Sequence, residues 1–87
     1  MFRIIKKEDL AQSVKRIVVE APLVAFNAKA GQFVMVMTDS QGERIPLTIA
    51  DSDKARGLVT LIFQEVGFTT KKLGELTQGD EVFSILG

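Results

Sequence analysis

The stretch Gln32–Ala50, "QFVMVMTDSQGERIPLTIA", decides the fold. It opens on a run of apolar and β-branched residues, Gln32–Thr38, that reads as a strand. Both of its faces are apolar, which predicts a strand covered at least partly on both sides. Met35 and Met37 alternate with Val34 and Val36 and read as gap-filling core. Asp39-Ser40-Gln41-Gly42 is a four-residue hairpin loop ending in glycine. Glu43–Ala50 then returns as the partner strand. Within it Arg44, Pro46 and Thr48 occupy every second position and so share one face. An arginine, a hydroxyl and a ring without an N–H make a poor core. That face is therefore wet, or something flat and polar lies against it.

Working outward, Phe2–Lys7 and Val14–Glu20 read as the first two strands. Pro22 closes the second, and Leu23–Gln32 is a connection turned by Gly31. Asp51–Gly57 is a polar turn, and Leu58–Val66 ("LVTLIFQEV") is a fifth strand. Thr69 or Thr70 can cap one short helix reaching about Leu76, with Leu73 and Leu76 spaced for packing. Glu81–Leu86 is the sixth strand. The sum is an all-β fold: a six-stranded antiparallel Greek-key barrel with one short helix.

Composition bounds the function. Eighty-seven residues make one domain, 1–87. Lys+Arg and Asp+Glu both total 11, so the excess positive charge of a nucleic-acid binder is missing, and little repulsion opposes self-association. Cysteine and histidine are absent, which excludes disulfides, thiolate or imidazole metal sites and a cysteine or histidine catalyst within these residues. No apolar run approaches the roughly 20 residues a spanning helix needs, so no membrane partner is expected. The N-terminal stretch lacks a signal-peptide pattern, and the cysteine-free composition agrees with a cytoplasmic location.

Two segments admit a site. "RIPLT" (Arg44–Thr48) is either an edge strand or one wall of a ligand site. "VGFTTKKL" (Val66–Leu73) places a glycine and threonines at a helix start, where unpaired N–H groups attract phosphate; simple capping explains the same residues. Lys71 and Lys72 read as a solvated face.

"GQFVMV", "RIPLTIAD", "FQEVGFTTKKL" and "GDEVFSILG", in this order and spacing, resemble the flavin-binding barrel of the ferredoxin–NADP reductase superfamily. The branch most resembled holds the electron-transfer subunit of dihydroorotate dehydrogenase and the small subunit of NADH-dependent ferredoxin–NADP oxidoreductases. The resemblance spans nearly the whole chain. It implies a riboflavin-synthase-like barrel, FAD as cofactor, and a module of an NAD(P)H-dependent flavin oxidoreductase. Pro46, Leu47 and Thr48 would line the isoalloxazine and ribityl portion. Arg44 stands one position earlier than the arginine of many relatives, where this chain has Ile45. Ile62, Phe63 and Gln64 would meet FAD through their backbone, and Thr69-Thr70 would mark the pyrophosphate, with Thr70 holding it. The resemblance implies further that an NAD(P)-binding domain follows in a longer two-domain parent. The acceptor would be an iron–sulfur partner subunit or ferredoxin. These residues alone would then be inactive, with FAD held weakly or lost. The reading from another class is a cofactor-free barrel acting as an interaction or assembly module.

Overall fold

The computed structural model describes residues 1–86; Gly87, which closes the predicted domain range, lies outside the described residues. Seven strands form one antiparallel sheet: β1 (Phe2–Ala11), β2 (Val14–Glu20), β3 (Phe33–Met37), β4 (Ile45–Asp53), β5 (Leu58–Gln64), β6 (Glu81–Val82) and β7 (Ser84–Leu86). Their order is β6-β1-β2-β5-β4-β3-β7. Placing β2 beside β5, with the β3–β4–β5 meander folded back, is the Greek-key crossover.

The predicted sixth strand, Glu81–Leu86, is corrected to two. The chain bends at Phe83, so β6 pairs with β1 through Phe2↔Val82 while β7 pairs with β3 through Val36↔Ile85. One short segment thus serves both free edges and nearly closes the barrel. Val82 and Ile85 on either side of the bend are both buried, which fixes it.

The predicted helix is present as Phe68–Gly74 (α2). A second helix, Pro22–Asn27 (α1), occupies the segment read as a connection. Pro22 suits a first helical turn, where its missing N–H would have no partner. Tertiary contacts hold α1: Ser52 Oγ donates to Ala25 O at 3.0 Å, and the Ala21 N–H donates to Gly57 O at 2.9 Å.

Alternation along the strands builds the core. Ile17 and Val19 of β2, Val34 and Val36 of β3, Leu47 and Ile49 of β4, and Val59, Leu61 and Phe63 of β5 all point inward. Leu73 brings α2 onto this core and is fully buried. At the far end of α2, Lys7 Nζ donates to Gly74 O and the Glu65 side chain lies over Gly74, where any side chain would collide with it.

The outer face of β3 is covered only in part. Val34 and Val36 are core, but Phe33 is 63% exposed, and Met35 and Met37 are half-buried on the outer face rather than in the core. The alternation of this strand was legible; its outer apolar face is a surface.

Candidate functional site

The β4–β5 ladder stops at Ile49↔Leu61. Beyond it, Ile45–Thr48 pair with β3 and Ile62–Gln64 pair with β2, but neither pairs with the other. The two strands splay and leave a seam. Pro46 and Thr48 stand exposed on one rim, Ile62 and Gln64 on the other. Ile49 directs its backbone to the β3 side, its N–H donating to Gln32 O at 2.7 Å and its carbonyl accepting from Gly31 at 2.9 Å. Alternation therefore turns the backbone of Pro46 and Thr48 toward the seam. A proline fits there because no β5 acceptor asks for its N–H.

Arg44 precedes β4 and is exposed; its Nε–H donates to Met37 Sδ at 3.2 Å, on the outer face that Met35 shares with Pro46. Arg44, Pro46 and Thr48 are thus gathered on one open face. Leu47 and Phe63 are not: both side chains are buried in the core and back the seam from within.

The chain leaving β5 turns into α2 at one end of the seam. The helix N-cap is Gly67, which corrects the expectation that Thr69 or Thr70 caps it. Thr70 instead sits at the third helical position and reaches back. Its Oγ1 accepts from the N–H of Val66 at 3.1 Å and of Gly67 at 2.9 Å, and donates to Gly67 O at 3.1 Å. The first-turn amides of Phe68 and Thr69 have no intrahelical acceptor. Thr69 is buried, and its Oγ1 donates to Glu43 Oε1 at 3.2 Å. One turn on, Lys72 pairs with Asp39. Lys72 holds the Asp39 carboxyl below the usual carboxylate range, helped by the Gln41 amide, which donates to Asp39 Oδ1 at 2.9 Å.

Glu43, Asp39 and Lys72 are the residues that the sequence reading missed here. Asp39 and Glu43 lie far in sequence from their partners Lys72 and Thr69, and no local pattern pairs them. Asp39 shows only its turn chemistry, and Lys72 only a charge on a helix.

A cavity of about 1030 Å³ lies elsewhere, between α1, β3 and β7. Phe2, Leu23, Val24, Phe33, Met35 and Leu86 line much of it, and none of the nine predicted site residues does. Among the described residues no group of carboxylates could hold a metal ion. No helix among them is long and apolar enough to cross a membrane.

No family model matches the chain. It is 46% identical over 87 residues to an uncharacterized protein of Clostridium beijerinckii encoded in the adh 3' region, covering 100% of this chain and 29% of that protein. It is 37% identical over 84 residues to the dihydroorotate dehydrogenase B (NAD(+)) electron transfer subunit homolog of Thermotoga maritima, covering 97% of this chain and 30% of the homolog. The corresponding electron transfer subunit of Shouchella clausii is 33% identical over 87 residues, with 97% of this chain and 33% of the subunit covered. A solved chain from work on flavin-based electron bifurcation in the NADH-dependent reduced ferredoxin-NADP oxidoreductase superimposes with a TM-score of 0.96 at 36% identity, over 100% of this chain and 32% of its own length. The chain therefore spans about a third of the length of the relatives it matches.

Proposed function

We propose, for a chain that belongs to the branch of the ferredoxin–NADP reductase superfamily holding the dihydroorotate dehydrogenase B electron-transfer subunits, that it is the FAD-binding module of an NAD(P)H-dependent electron-transfer oxidoreductase. One observation carries the reading. The seam between β4 and β5 exposes unpaired backbone along an open face and leads to a helix start with free N–H groups. A flavin nucleotide has the matching shape, a planar ring with hydrogen-bonding edges joined to an anionic pyrophosphate.

In this reading Pro46 and Thr48 support the ring, and Ile62 and Gln64 form the opposite rim. The Thr48 hydroxyl and the seam backbone supply polar contacts to the ring edge. Leu47 and Phe63 act through their backbone, since their side chains hold the wall rigid from the core. Thr70 shapes the Gly67 turn that presents amides to the pyrophosphate, and Thr69 locks that turn to Glu43. Arg44, already on the outer face, supplies positive charge near the anionic cofactor. The bound flavin supplies hydride acceptance and onward electron release; the chain supplies placement and electrostatics.

The rest of such an oxidoreductase would carry the NAD(P)-binding domain, and an iron–sulfur partner subunit or ferredoxin would take the electrons, in the cytoplasm. The cavity beside α1 supports a second reading, a cofactor-free interaction module. Titration of the chain with FAD, followed by flavin fluorescence and absorbance, separates them. Saturable binding that Thr48→Val weakens or shifts spectrally, with folding intact, supports the flavin reading. Absence of even weak binding at high FAD concentration, or binding indifferent to Thr48, overturns this placement of the ring.

A further inference from the structure

We propose that Asp39, Glu43 and Lys72 are positioning residues that set the spacing between the two halves of the flavin site, a role that rests on the flavin reading above. The ring half of the site is built on β4, and the pyrophosphate half on the Gly67–Thr70 turn. The turn follows directly from β5, and the β3–β4 loop is what ties it to β4. The loop meets α2 at two points one helical turn apart: Thr69 Oγ1 donates to Glu43 Oε1 at 3.2 Å, and Lys72 pairs with Asp39. Glu43 lies two residues before β4 begins at Ile45, so this contact transmits directly to the strand. Thr69 is buried, which limits the water that its hydroxyl could exchange for Glu43. Asp39 does double duty, because its Oδ1 closes the loop on the Gln41 amide at 2.9 Å while Oδ2 faces Lys72. The other end of α2 is tied separately, to β1 through Lys7 and Gly74.

The test compares FAD affinity with thermal stability in Asp39→Asn, Thr69→Val and Lys7→Met. Asp39→Asn keeps the oxygen that closes the loop and removes the ion pair. It also removes a negative charge near an anionic ligand. A purely electrostatic effect would therefore tighten FAD binding, whereas loss of positioning weakens it. We expect Asp39→Asn and Thr69→Val each to raise the FAD dissociation constant about two- to fivefold. Lys7→Met should lower the melting temperature and leave the affinity unchanged. Tighter or unchanged binding by Asp39→Asn overturns the proposal, as does an equal loss of affinity in Lys7→Met. Failure of the unaltered chain to bind FAD even weakly at high FAD concentration overturns the flavin reading, and this proposal with it.

Discussion

Replacing Thr70 by valine keeps the β-branched shape and deletes one hydroxyl. That hydroxyl accepts from the amides of Val66 and Gly67 and donates to the Gly67 carbonyl. Each such bond contributes about 1 kcal/mol when buried, but this turn is open and water replaces part of the loss. Comparable losses at helix N-termini amount to about 1 kcal/mol. For a domain of this size about 1 kcal/mol lowers Tm by roughly 4–8 °C. The FAD affinity should fall further, by about 1–2 kcal/mol, because the turn that presents first-turn amides to the pyrophosphate loosens at the same time. Thr70→Ser retains the oxygen and should stay within about 0.5 kcal/mol of the native chain in stability. Thermal melts and FAD titrations on the three proteins measure both quantities. A valine variant that melts with the native chain refutes the turn argument. One that melts early but binds FAD with native affinity refutes the placement of the pyrophosphate.

Stability should depend on pH in two separate windows. Asp39 and Asp9 have carboxyls depressed from 3.8, chiefly by hydrogen bonds from Lys72 and Lys15 respectively. Their contribution is complete above 3.8 and is lost as pH falls through the lower folded value. The Lys15 ammonium is raised from 10.5, chiefly by its hydrogen bond to Asp9, so its contribution is complete below 10.5 and is lost as pH rises through the higher folded value. Urea midpoints across pH should therefore be flat between these windows and fall at both ends, and Asp39→Asn should flatten the acid limb; an unchanged acid limb contradicts the assignment. Gly57→Ala should destabilise more than Gly31→Ala. Both glycines have positive φ, but a Cβ on Gly57 meets Pro22 Cγ at 3.1 Å, whereas nothing lies within 4 Å at Gly31. Gly57→Ala should lose about 1–3 kcal/mol by urea unfolding, and equal losses at the two sites would show that α1 gives way freely.

Much of this fold is written locally. The alternation through Ile45–Ile49 separates Leu47 and Ile49, which are buried, from Pro46 and Thr48, which are not. The β-branched run Val14–Glu20 is a strand with the bounds its residues suggest. These features need only the period of a strand and the chemistry of a turn, both of which act over a few residues. The order of the candidate segments along the chain was enough to suggest the family before any strand was paired. Helix α1 was not legible, because only Ala25 of its six residues is buried and no apolar stripe marks it. It forms where Ser52 and Gly57 offer it contacts. The division of Glu81–Leu86 at Phe83 was hidden for a related reason: a short strand-like run cannot say that its halves pair with different strands. Tertiary structure alone decided where β4 parts from β5, and which loop reaches Thr69 and Lys72. Sequence alternation determines the face of each residue, but closing and twisting the barrel decides which strand ends lose their partners. That second decision opens the seam.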